Sequence, residues 1–168
     1  MTSTEQLKQD IYEFRLRFDQ IYLGCIPRLL DELGMFLAFL SFLTAVDVLA
    51  GVFSPERTPG ARFRSFAGRF LPEGLGSLAD ELWRARNLMV HSFNPGQFGL
   101  VCGQSRLHLS KNHTITILNA QDVYAALVIA ARAYFDALQS DPDLQRVFAK
   151  RIAETDGGAP ETHIVHEY

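Results

Sequence analysis

Between Leu33 and Phe53 the chain carries a single charged side chain, Asp47. The uncharged run ends at that carboxylate, short of the roughly 20 residues that a bilayer crossing needs. A helix apolar on nearly every side is then the central helix of a bundle. It is predicted to run from about Arg28 to Phe53, stopped by Ser54-Pro55 and Thr58-Pro59-Gly60. An unpaired carboxylate inside such a helix is costly, so Asp47 is expected to meet an arginine or a tyrosine hydroxyl.

Helices that can cover this centre are legible on both sides. Leu7, Ile11, Phe14, Phe18 and Ile21 recur at helical spacing between charged residues, which predicts an amphipathic first helix. Phe63, Phe66 and Phe70 give Ala61 to Phe70 an aromatic edge before Pro72. Leu78, Leu82, Ala85 and Met89 stripe the next helix, with Ser77 as its expected cap and Asp80 and Glu81 in its first turn. Val123, Leu127, Ala130, Tyr134 and Leu138, widened by Tyr124, Val128, Ala131 and Phe135, mark a last long helix with Asn119 as its expected cap. Ser140-Asp141-Pro142 starts a short final helix, Asp143 to Ile152.

The period changes after Asn94-Pro95-Gly96. Leu107 and Leu109 alternate with polar residues, as do Ile115 and Ile117, so a β-hairpin is predicted around Lys111-Asn112-His113. The expected class is all-α: a helical bundle of four to six helices with a small hairpin insertion near residues 100–118. Residues 1–153 form one domain in this reading and 154–168 a flexible tail.

With 168 residues, 48% hydrophobic and a formal net charge of −3, the chain suits one globular domain and does not suit bulk-charge coating of nucleic acid. Cys25 and Cys102 stand apart from any Cys or His cluster, which argues against a zinc site or a disulfide scaffold and for a reducing cytoplasm. The polar start, Met1 to Asp10, has no apolar core of a signal peptide. His163 and His166 have a metal-compatible spacing but no supporting ligands, so no metal and no cofactor is expected.

One short stretch carries chemistry. Arg86-Asn87-Leu88-Met89-Val90-His91 closes an amphipathic helix just before a Pro-Gly break. It resembles the motif of the HEPN superfamily of small helical RNases and their inactive relatives: an Arg, four to six residues, then a His, often with Asn, Asp or His directly after the Arg. Arg62-Phe63-Arg64-Ser65-Phe66, Leu71-Pro72 and the helix ending at Phe93 are also similar to a bacterial branch of uncharacterised HEPN-like proteins.

The resemblance implies a metal-independent endoribonuclease, cytoplasmic, with a composite site where two copies of the chain meet as a homodimer. His91 would serve as acid and base, since imidazoles titrate near neutrality, and Arg86 as a bidentate phosphate clamp, with Asn87 orienting the Arg or the phosphate. Arg62, Arg64, Arg69 and Arg84 make this third of the chain locally basic and are candidate RNA contacts. Toxin-antitoxin, defence or RNA-processing roles follow from the same resemblance. The other reading of the same residues is a non-catalytic dimer that binds a partner, such as an antitoxin or a nucleotidyltransferase. In it, Arg86 bridges to a helix carboxylate and His91 only helps to end its helix.

Overall fold

A computed structural model describes residues 3–156. Helix α1, Ser3–Phe18, passes into a π-helical turn, Asp19–Leu23, and a 3-10 turn, Ile26–Leu29. Then come α2 Met35–Phe53, α3 Pro59–Phe70, α4 Glu73–Gly76 and α5 Ala79–Ser92. Strands β1 Phe98–Val101, β2 Lys111–Asn112 and β3 Ile115–Asn119 precede α6 Ala120–Ser140 and α7 Pro142–Asp156. The predicted tail begins inside α7, and residues 157–168, with His163 and His166, lie outside the described residues.

Helix α2 is the centre, and it is packed by α3, α5, α6 and α7. By length and composition alone it would also span a membrane, but Phe42, Leu43, Ala45, Val46, Leu49 and Ala50 are all buried against protein. Ala38, Phe39 and Phe42 share a small gap with Ala120, Val123 and Tyr124, and Phe53 meets Tyr134 edge to face. Helices α2 and α6 therefore run side by side in the same direction, and α5 makes the return, its Arg86 meeting Asp47 and its Phe93 meeting Phe36. Val123, Leu127, Ala130, Tyr134 and Leu138 of α6 are buried as their spacing predicted, with Ala131 and Phe135, while Tyr124 and Val128 at the edge of the stripe are half-buried. Around Tyr134 the rings of Phe53, Phe66, Phe70 and Phe135 lie 5.4–6.0 Å away, mostly edge to face.

The long second helix starts later than expected. Asp31 accepts from the amides of Leu33 and Gly34, and the 3-10 turn with Pro27 occupies the segment assigned to the helix. Ile21 is exposed because the π-turn widens the helix at Asp19, so that Tyr22 rather than Ile21 returns to Phe18, 5.2 Å between rings. Thr58 caps α3 through Ala61 N, with Pro59 at its first position. Asp141 caps α7 by accepting from Asp143 N and Leu144 N, with Pro142 at its first position as expected.

Two expected caps differ, and the hairpin expected around Lys111-Asn112-His113 is present but short, and a further strand joins it. Ser77 donates to Gly74 O at the end of α4, and α5 has no side-chain cap. The insertion is a three-stranded sheet in the order β1-β3-β2, with β1 parallel to β3 and only Lys111 and Asn112 antiparallel to it. Ser105–Leu107 is a 3-10 turn and Leu109 sits in the left-handed region, φ 62°, so the alternating leucines form no regular strand.

Asn119 occupies the position before α6 without capping it. Its buried amide instead accepts from Gln104 N and donates to Ser105 Oγ and Asp122 Oδ2, while its backbone N–H donates to His108 Nδ1 at 3.2 Å. This knot ties the sheet to α6. Burial lowers the His108 pKa from its usual value, against the pull of the Asp122 carboxylate. The unfolded chain then binds more protons than the folded one just below the ordinary histidine pKa of about 6.5. The contribution of His108 is present in full above that pH and is lost as pH falls below it. A His108→Gln variant should show a flatter dependence of urea-unfolding stability between about pH 7 and pH 5 than the parent.

Candidate functional site

Helix α5 turns Leu82, Ala85 and Met89 into the core, which leaves Arg86 and Asn87 half-buried at its edge and His91 exposed in its last turn. Arg86 Nη2 lies 3.0 Å from Asp47 Oδ2, with the two side chains 26% and 23% exposed. This is the partner that Asp47 was expected to need. Arg86 Nη1 donates to Asn87 Oδ1 at 3.2 Å, and the guanidinium carbon sits 5.7 Å from the Trp83 ring centre. Trp83 can come so close because Gly60 has no side chain: a Cβ there would lie 2.8 Å from the indole nitrogen. The Arg86 Nε–H is buried without a partner.

The guanidinium is therefore fixed on three sides, by a carboxylate, an amide and an indole face. Because Asn87 Oδ1 is turned to Arg86, its NH2 half is directed away from the guanidinium and is free to donate elsewhere. Helix geometry decides what stands beside it. Residues five apart on an α-helix are rotated by roughly 140°, whereas residues four and seven apart are rotated by only about 40° and 20°. Asn87 and Arg84 thus share the His91 face of α5, while Arg86 is turned toward α2. Arg84 is exposed there.

The other arginines do not gather at this site. Arg64 pairs with Asp80 at 3.5 Å, and Arg69 lies over the rings of Phe53 and Phe70 at 5.5 and 5.1 Å. Arg62 donates to the carbonyls of Glu56 and Arg57 and lines a cleft formed with α1, α2 and α7. Of the four candidate RNA contacts, Arg84 alone is on the same helix face as His91. The spacing of seven between Arg84 and His91 was present in the sequence, where Arg84 stood only as a candidate RNA contact beside the Arg86 motif.

The surface around His91 is apolar in places. Leu88 and Val90 are exposed on α5, and Phe93, at its end, is 79% exposed in a left-handed conformation with φ 52°. The Phe93 ring touches Phe36 of α2, 6.5 Å between centres, and Leu33 and Leu37 beside Phe36 are exposed as well. Among the described residues no three His, Cys, Asp and Glu side chains come together as a metal-ligand set. No family model, no curated protein and no solved structure matches this chain.

Proposed function

We propose that the chain is an endoribonuclease of the HEPN type, working as a homodimer in which the α5 faces of two copies form one cleft. The observation that carries this reading is the fixed Arg86–Asn87 pair next to an exposed His91, with Arg84 on the same face as the histidine. One copy holds its guanidinium and its imidazole in different directions, so a second copy is needed to set both on one phosphate.

In the proposed cleft, His91 of one copy takes the proton from a ribose 2′-hydroxyl, and the 2′-oxygen attacks the phosphorus. The bond from phosphorus to the 5′-oxygen breaks, and a protonated His91 from the other copy supplies a proton to that oxygen. The products are a 2′,3′-cyclic phosphate and a 5′-hydroxyl. Arg86 and Arg84 stabilise the charge that builds on the phosphate oxygens, and the Asn87 NH2 orients them. Asp47 keeps the guanidinium in place.

The test is incubation of the purified protein with mixed single-stranded RNA in EDTA, beside Arg86→Ala and His91→Ala. Wild type should cut and both variants should not. Absence of cutting by wild type across several RNAs, or cutting that survives both substitutions, would overturn the proposal.

Arg86 also has a structural role through Asp47, and the two roles separate. Arg86→Ala leaves a three-quarters-buried carboxylate without its cation and should cost about 2 kcal/mol. Replacing both partners, Asp47→Leu with Arg86→Met, should return most of that stability in urea unfolding, since apolar pairs substitute well for buried ion pairs. Cleavage should stay lost in the double variant. Restored cleavage would make Arg86 a bridge and nothing more.

Phe93 supports the dimer. A large apolar side chain in the left-handed region costs about 1 kcal/mol or more, and within one copy Phe93, 79% exposed, regains only its one ring contact with Phe36. Phe93→Gly should therefore raise the melting temperature of dilute protein by a few degrees, while sedimentation shows weaker self-association. A variant that associates as wild type does would remove Phe93 from the interface.

A further inference from the structure

A second site lies away from the exposed face of α5. The cleft between α1, the π-turn, α2 and α7 has a volume of about 560 Å³, within the range of roughly 300–1,000 Å³ typical of small-molecule pockets. Its walls are apolar at Phe14, Phe18, Val48 and Ile152, and charged at Arg17, Arg62, Arg151, Asp47 and Glu154. The charges are not evenly matched. Asp47 is engaged by Arg86, and Glu154 by Arg151 at 2.9 Å. Arg17 and Arg62 have no carboxylate partner among the described residues.

Arg62 carries the argument further. Its Nη1 donates to two backbone carbonyls, which fixes the guanidinium, while its Nε–H is buried and unpartnered. A desolvated N–H of a cation calls for an acceptor, best an anionic one. Gly51 of α2 gives an independent reason. It lines the same cleft, and a Cβ there would meet nothing within 4 Å. A glycine inside a helix destabilises it relative to alanine, and packing does not require one at this position. Its effect is to leave the cleft open.

We infer that this cleft binds a small amphipathic organic anion, its acid head at Arg62 and Arg17 and its apolar body along Phe14, Phe18, Val48 and Ile152. The head is a carboxylate or a phosphate, since a fixed guanidinium accepts either. The inference is independent of RNA cleavage. It adds one link to it, because Asp47 both lines the cleft and holds Arg86.

Isothermal titration of the full chain with decanoate, decyl phosphate, decanol and inorganic phosphate, all below micelle concentrations, tests it. At least one of the two amphiphilic anions should bind saturably with one equivalent per chain. Decanol and inorganic phosphate should each bind about tenfold or more weakly, as should the anion to Arg62→Met, given the strength of one charge-assisted hydrogen bond. Gly51→Leu should fill the cleft and abolish binding with helicity by circular dichroism unchanged. Arg17→Ala, at an exposed position, serves if either variant fails to fold, and should also weaken binding. No saturable binding of either anion, decanol or phosphate binding as tightly, or wild-type affinity in a folded Arg62→Met, in a folded Gly51→Leu or in Arg17→Ala would overturn the inference.

Discussion

His91→Ala is expected to lower the rate of RNA cleavage by about 10²–10⁴-fold, the usual contribution of a positioned acid or base. The loss should come with little change in stability, because the imidazole is exposed and the last turn of α5 is closed by backbone bonds to Leu88 O. Arg86 differs on this point, since it is tied into the fold. Initial rates under substrate excess, taken beside thermal melts of the same samples, distinguish the two. Arg84→Ala should fall between them: a weaker cut, no change in melting temperature, and a smaller salt dependence of RNA binding. A His91→Ala protein that melts like the parent and cuts at the parental rate would leave the α5 face without a chemical role.

Tyr134→Ala should give the largest loss of stability of any substitution considered. The side chain is fully buried, and the rings of Phe53, Phe66, Phe70 and Phe135 rest on it. Removing a ring of this size from a core costs about 3–5 kcal/mol, which for a chain of this length is a fall in melting temperature of roughly 10 °C. Tyr134→Phe keeps the ring and loses only a long hydrogen bond to Val52 O, 3.4 Å, so it should cost about 1 kcal/mol or less. Burial raises the Tyr134 pKa well above its ordinary value, so the hydroxyl stays protonated in the folded chain. Equal losses in the two variants would mean that the hydroxyl, and not the aromatic cluster, holds the helices together.

The helices were legible because each exposes its period. Leu82, Ala85 and Met89 on α5 and Val123, Leu127, Ala130, Tyr134 and Leu138 on α6 are buried where their spacing placed them. The sheet was less legible for a physical reason: a parallel pair such as Phe98 with Thr116 leaves no turn between the strands for a sequence to show. Leu107 and Leu109 alternate like a strand, yet a left-handed Leu109 bends the chain there. Ile21 fell out of its stripe because the π-turn shifts the phase of everything after Asp19.

At the candidate site the sequence supplied the residues and only part of their arrangement. Asp47 announced its need for a partner, but the choice of Arg86, thirty-nine positions away, depends on how α2 and α5 pack. Arg62, grouped by composition with the basic residues near the motif, faces the cleft between α1, α2 and α7 instead. Gly51 gave no signal, because a glycine matters there only once the space beside it is known.

In the proposed function, His91 and its neighbours on α5 cut RNA through the ribose 2′-hydroxyl. The most direct measurement follows the ends of one RNA oligonucleotide in EDTA, beside the same oligonucleotide with 2′-O-methyl groups throughout. Wild type should leave 2′,3′-cyclic phosphate and 5′-hydroxyl ends and His91→Ala none, and the methylated strand should stay intact. Cleavage of the methylated strand, 5′-phosphate ends, or an RNA that wild type leaves whole would contradict it.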